Sequence, residues 1–179
     1  MELPAKMMVC KYNTALLSGV QLVEKLTPLE AVPPRSGLFG TSYFASAGRL
    51  LVRVRACGVN PVDAKYIIGD KFPESWMDWS ARRVNGHTPG FDFSGEVVKS
   101  PPGCGYKVGD EVYGLADDPT WIFRPGHYMM GSFGQFIQPP INQVAHKPTS
   151  LTHVEAAALP LVGVTCVQAF NEHGLKGGQ

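Results

Sequence analysis

Leu51-Val52-Arg53-Val54-Arg55-Ala56-Cys57-Gly58-Val59-Asn60-Pro61-Val62-Asp63 is the stretch from which the rest of the chain can be placed. Leu51 aside, apolar and basic side chains alternate, and a strand sends successive side chains to opposite faces. Val52, Val54 and Ala56 are expected to face inward, Arg53 and Arg55 to face water. Gly58 permits a sharp bend. Pro61 cannot extend a central strand but suits the first turn of a helix, where its missing N–H costs nothing. Asn60 then stands at the N-cap, and Asp63 lies in the first turn, where the helix dipole favours a carboxylate. A buried strand thus delivers Asn60 and, one turn later, Lys65 to a strand–helix junction, with rigid support behind and polar groups in front. A cap and a surface lysine are the plainer reading of the same residues.

The flanking sequence sets the fold class. Residues 7–10 read as a strand, and the alternation from Gly19 to Glu24 reads as its hairpin partner. Downstream, Pro89-Gly90 feeds a strand through Phe91, Phe93 and Gly95, with Gly90 and Gly95 marking bends or close backbone approach. Gly109-Asp110 turns into a short strand at 111–114, Ser132 to Gln138 alternates, and Gln143 to Pro148 gives one more strand. The segments 27–48, 70–85 and 117–130 interrupt this pattern and read as excursions. From Thr152 the period changes. Thr152-His153-Val154-Glu155 is a capping box, Pro160 interrupts the helix it opens, and Leu161 to Phe170 is apolar almost all round, the pattern of a buried helix. Gly174 suits a C-cap. The expectation is a mainly antiparallel β fold over residues 7–148, with helices at about 61–69 and 152–173.

Bulk properties narrow the classes. A chain of 179 residues holds one domain, or one and part of another. At this size folding buries roughly 70% of the surface an unfolded chain exposes, so a core needs neither disulfide nor metal. A hydrophobic content of 44% against 17% charged describes a globular chain. The net charge of +1 gives no electrostatic case for nucleic acid or an anionic membrane. No apolar run approaches the ~20 residues of a membrane span, and Met1-Glu2-Leu3-Pro4 does not read as a secretory signal. An intracellular, cytoplasmic location is expected, with a processed organellar form left open. Cys10, Cys57, Cys104 and Cys166 are scattered without zinc-finger spacing, and read as partly buried thiols in a reducing compartment.

The order of these motifs resembles the catalytic, GroES-like domain of the medium-chain dehydrogenase/reductase superfamily. The matches are Val52 to Asp63, Pro89 to Val98, Gly109 to Gly114, Gly131 to Phe136, Ala156 to Leu161 and Gly163-Val164-Thr165. Each alone is weak; their order and spacing together are specific. The resemblance is to the zinc-free quinone oxidoreductase and enone or enoyl reductase branch. Zinc alcohol dehydrogenases carry a cysteine ligand at the position of Asn60 and a His-Glu pair at Phe91-Asp92. Phenylalanine cannot ligate and neutral asparagine is a poor zinc ligand, so no zinc is expected. The resemblance implies a distorted antiparallel β-barrel over residues 1–150. Residues 151–179 would form a helical segment leading into a Rossmann cofactor domain absent from this chain. No G-x-G-x-x-G occurs, so the backbone cradle for a pyrophosphate is missing. The chain is expected to be a fragment or a truncated product.

The implied activity is NADPH-dependent hydride transfer to a quinone or an α,β-unsaturated carbonyl. The resemblance places Asn60 and Thr165 at the nicotinamide-ribose end. It places Lys65, together with Asn60, in the catalytic set, with Lys65 as the donor that stabilises or protonates an enolate oxygen. Phe91, Trp76 and Trp79 would wall an apolar substrate pocket, although packing is the commoner use of such aromatics. Asp63 would order the helix start. By itself the chain is expected to be inactive, to bind NADPH weakly and to self-associate through Leu161–Phe170; the homo-oligomeric state of a complete protein is left open. Two alternatives stand beside this reading: a non-catalytic GroES-like binding or scaffold protein, since fold does not fix function, and a relative of the zinc alcohol dehydrogenases.

Overall fold

Hydrogen-bond register shows how the alternation is used. The computed structural model describes residues 6–11, 21–26, 48–63, 88–116 and 131–174. The hairpin expected near the start is present: β1 (Lys6–Lys11) pairs antiparallel with β2 (Gln21–Leu26). The larger sheet contains β3 (Leu51–Gly58), β4 (Asp92–Lys99), β5 (Glu111–Leu115), β6 (Phe136–Ile137) and β7 (Val144–His146), in the order β6-β3-β4-β5-β7. Every pairing in it is antiparallel. Gln135, just before β6, ties the hairpin to this sheet: its side-chain oxygen accepts from Met8 N at 2.9 Å and its own N–H donates to Met8 O at 3.2 Å.

The inward face is the one the alternation assigns. Leu50, Val52, Phe93, Val97, Val112 and Ile137 form a fully buried cluster, with Val54, Tyr106, Ile141 and Val144 packed around it. Val52 faces Val97 across one strand pair and Ile137 across the other. On the outer face Arg55 meets Glu96 at 2.9 Å. Arg53 is not simply in water; its guanidinium lies 5.5 Å from the centre of the Phe136 ring, a cation–π distance. Between Val54 and Ala56 the register slips. There Gly95 brings the two backbones together: a Cβ on it would stand 2.2 Å from Arg53 O, so no other residue fits without moving a strand.

The mainly antiparallel β fold is as expected; among the described residues its sheet is open rather than closed into a barrel, with β6 and β7 as edges that do not pair. A strand expectation needs correction. The run from Ser132 to Gln138 yields only two strand residues. Gly131, Ser132 and Phe133 instead donate to the carbonyls of Thr88, Gly90 and Pro89, and Pro139-Pro140, lacking N–H groups, stop β6. The apolar helix is exposed in this chain, as self-association through Leu161–Phe170 requires, although its pattern is that of a helix buried in some larger assembly. Helix α1 (His153–Ala157) and helix α2 (Pro160–Glu172) follow the expected break at Pro160, but in α2 only Pro160 is buried. Val162 and Val167 are each 57% exposed and Phe170 53%. A helix that is apolar all round needs cover on all sides, and here only its start, Pro160 and the half-buried Leu161, is covered.

The capping box at Thr152 and Glu155 is formed in both directions, and Gly174 adopts the left-handed conformation of a C-cap glycine. Of the expected helix at 61–69, residues 61–63 are described and helical. The excursions at 70–85 and 117–130 lie outside the described residues, as does most of 27–48. Cys57 and Cys166 are exposed and Cys104 half-buried, so two of the thiols are more open than expected.

Candidate functional site

Asn60 lies where β3 ends and the helical turn begins, and two buried carboxylates hold it. Asp63 reaches back one turn, so that Asn60 N donates to its Oδ2 at 2.7 Å. Asp63 N donates to Asn60 O at 3.0 Å. The cap bond therefore comes from Asp63 rather than from the Asn60 side chain expected at that position. The freed carboxamide turns to β4, where Nδ2 donates to Asp92 Oδ2 at 2.8 Å. The second oxygen of Asp92 accepts from Leu161 N at 2.8 Å, in the first turn of α2. Leu159, the N-cap residue of that helix, makes no side-chain cap bond. Asp92, from another element, supplies the acceptor that the orphan N–H requires.

Asp63 is 2% exposed and Asp92 1%. Burial pushes both carboxyls above the usual aspartate range, against the pull of their hydrogen bonds. For Asp63 the Asn60 N–H opposes the rise most, and the nearby Asp92 charge adds to it. The Gly90 backbone also favours the charged form, although Asp63 Oδ1 completes no hydrogen bond. For Asp92 the opposing donors are Asn60 and then Leu161 N.

A second chain of contacts fixes α1 against the sheet. Ser94 Oγ lies 3.0 Å from Val112 O and 2.8 Å from His153 Nδ1. His153 Nε2 faces Glu111 Oε1 at 3.1 Å, and Glu111 Oε2 faces Lys147 Nζ at 3.1 Å. Lys147 also donates to Leu151 O at 2.6 Å, just before the capping box. The lysine hydrogen bond is the first cause holding the Glu111 carboxyl below the usual glutamate range. Ser94 is fully buried, so the Ser-His-Glu array is a latch and not a nucleophile. It sets the height of α1, whose last residue, Ala157, packs over Gly58.

Of the residues singled out from the sequence, the structure brings Asn60 and the start of α2 together through Asp92. Thr165 stands on the exposed side of α2, one turn beyond Leu161, and its Oγ1 donates to Leu161 O at 2.8 Å. Phe91 is buried at 7% exposure, and its carbonyl accepts from Ala116 N at 2.7 Å. Lys65, Trp76 and Trp79 lie outside the described residues. At Asn60, Phe91 and Asp92, the positions of the zinc ligands in the alcohol dehydrogenases, the polar atoms are turned on one another. No group of three or more His, Cys, Asp or Glu among the described residues is placed to hold a metal ion. Asp92 is the residue that sequence reading missed. Its partners are 32 and 69 positions away, and no local spacing announces them.

The profile of the alcohol dehydrogenase GroES-like domain matches residues 46–149. The chain is 34% identical over 136 residues to the human NAD(P)H oxidoreductase RTN4IP1, mitochondrial, covering 70% of this chain and 31% of that protein. It is 34% identical over 132 residues to the 2-methylene-furan-3-one reductase of Solanum lycopersicum, covering 73% of this chain and 31% of the reductase. It thus spans about a third of the length of these relatives. Among solved structures, the quinone oxidoreductase from Coxiella burnetii superposes with a TM-score of 0.72 at 22% identity, over 97% of this chain and 47% of that one. That likeness is one of fold.

Proposed function

The chain belongs to the alcohol dehydrogenase GroES-like domain family of the medium-chain dehydrogenase/reductase superfamily, and on that premise we propose that it is the catalytic-domain part of an NADPH-dependent oxidoreductase acting on quinones or α,β-unsaturated carbonyls. The observation that carries the reading is the Asn60–Asp92–Leu161 connection. It fixes a neutral carboxamide, not a thiolate, at the end of β3, and ties it to the helix that bears Thr165. The relatives' names supply the chemistry: an NAD(P)H oxidoreductase and a reductase of a conjugated ketone.

The residues fit the nicotinamide-ribose end of such a cofactor, which carries hydroxyl and carboxamide donors. Asn60 has a carbonyl oxygen directed away from Asp92, and Thr165 keeps its oxygen lone pairs on the open side of α2. NADPH, when bound, supplies the hydride. In this proposal Asn60 and Thr165 orient the ring end, and Lys65 stabilises or protonates the oxygen that gains charge when the β-carbon is reduced. Phe91, Trp76 and Trp79 wall the apolar pocket. The pyrophosphate site belongs to the part of the relatives that this chain does not cover, which residues 151–179 would adjoin. The test is NADPH consumption, with a quinone and with a conjugated enone, by this chain continued with the complementary region of a relative. A folded, nucleotide-binding chimera that consumes no NADPH with either acceptor would refute the reading and favour a binding or scaffold protein.

A further inference from the structure

Asp92 has no part in the chemistry proposed above, yet its carboxylate touches both arms of the site. Its Oδ2 accepts from Asn60 Nδ2 and its Oδ1 from Leu161 N, each at 2.8 Å, with the side chain 1% exposed. A carboxamide has a donor end and an acceptor end; a carboxylate only accepts. Which way an amide points follows from its hydrogen-bond network. Against Asp92, Asn60 has to turn Nδ2 inward, and Oδ1 becomes the end directed away. The main-chain N–H of Asn60 is also committed inward, to Asp63. On α2 the Thr165 hydroxyl proton is spent on Leu161 O, in the same helical turn whose N–H Asp92 holds. Both candidate contact residues therefore lead with acceptors; the buried carboxylate sets the Asn60 amide directly and holds the first turn of the helix that carries Thr165.

We propose that Asp92 is a positioning residue that fixes the polarity of this site, turning the Asn60 carbonyl outward so that the site selects ligands bearing hydroxyl or amide donors. This rests on the proposed function only in naming the ligand as the nicotinamide-riboside end of a cofactor. The orientation of the amide is a property of the chain without ligand. Asp92 acts through Asn60 and α2 and touches no reacting atom.

The isosteric Asp92→Asn separates positioning from folding. Its carbonyl still accepts from Leu161 N, so the start of α2 stays capped, but its NH2 now faces Asn60. The Asn60 amide has to turn over, bringing its carbonyl inward and its NH2 outward. Adding Asn60→Asp to Asp92→Asn restores the bond between positions 60 and 92 with its sense reversed, leaves the Leu161 N bond as it was, and returns an acceptor to the outer side. On the 179-residue chain, 15N NMR of the residue 60 side-chain amide should show one proton shifted downfield by the carboxylate and moving as position 92 titrates. In Asp92→Asn that shift should vanish while the backbone spectrum and unfolding midpoint are retained. Titrated with reduced nicotinamide riboside, the single variant should bind about tenfold more weakly, the size of one hydrogen bond. The double variant should return towards the parent. Residue 60 amide signals unchanged in Asp92→Asn would overturn the inference, as would equal riboside binding by parent and single variant, or a double variant no tighter than the single. Failure of the parent to bind the riboside would refute the placement of Asn60 at the cofactor and overturn the ligand named here, while the amide signals still decide the orientation.

Discussion

Replacing Gly58 by alanine tests whether the seat of α1 supports the site. A Cβ at Gly58 would lie 2.6 Å from Ala157 O, 3.0 Å from Asp92 Cβ and 3.2 Å from Asp92 Oδ2, where ordinary contact begins at 3.4 Å. The nearest atom is backbone, so a rotamer change cannot relieve it. Helix α1 would have to retreat by about 0.8 Å, against the Ser94–His153–Glu111 latch that fixes its height. Overpacking of this kind costs about 1–3 kcal/mol. Gly58 does not occupy the left-handed region, so alanine also recovers about 0.4–1 kcal/mol by restricting the unfolded chain. The net expectation is a loss of about 1–2 kcal/mol, read as a lower urea midpoint at unchanged slope. Gly163→Ala is the internal control. Nothing lies within 4 Å of a Cβ there, the site is exposed on α2, and the same chemical change should stabilise by about 0.5–1 kcal/mol. A Gly58→Ala chain as stable as the parent, or as stable as Gly163→Ala, would refute the close seating of Ala157 over the end of β3.

The remaining predictions concern chemistry, pH and association. In the complete enzyme Lys65→Ala should lower kcat for enone reduction more than it raises KM, because a donor to a developing enolate acts on the transition state; steady-state kinetics with an unchanged kcat would make Lys65 a surface residue. Stability should respond to acid in two opposed ways. The buried Asp63 and Asp92 have raised folded pKa values, so they bind more protons folded than unfolded, and stability falls as pH rises from 3.8 through their folded values. Glu111, held below 4.5, contributes stability that is present above 4.5 and lost as pH falls through its folded value. Urea midpoints across that range should therefore gain a steeper acid loss with Asp63→Asn and a shallower one with Glu111→Gln; identical profiles for all three chains would refute the assignment. The exposed apolar surface of α2, with Val162, Val164, Val167 and Phe170 at 43–57% exposure, should make the isolated chain self-associate. Light scattering should show a mass above that of one chain, reduced by Phe170→Lys; a clean monomer at high concentration would show that this surface is covered.

What was legible in the sequence is what depends on neighbours a few residues apart. The alternation of Val52 and Val54, the turn at Gly109-Asp110, the capping box at Thr152 and the break at Pro160 each follow from local geometry, and each is present. Apolar character along Leu161–Phe170 reports that the helix needs cover, and the exposed surface expected of it in this chain is there. The misreading has another origin. Alternation through Ser132–Gln138 shows that a strand is compatible, yet the carbonyls of residues 88–90 compete for the same N–H groups and take them.

Asp92 illustrates the harder case. From the sequence it is one acid in a β-strand, a position where aspartate is disfavoured, and that local conflict is the only signal available. Conflicts of this kind between local preference and global fold tend to fall at functional or strained sites. Its partners lie just after β3 and at the start of α2, and they meet because α1 packs over Gly58 and brings the first turn of α2 to β4. The site is therefore not a motif but a consequence of topology: Pro61 opens a helical turn just after β3, Thr152 starts a helix, and Pro160 opens a second helix whose first-turn N–H requires an acceptor. A buried carboxylate held by only two donors would be a poor choice for stability alone. Its placement between a carboxamide and a helix start makes physical sense if the direction of that carboxamide matters.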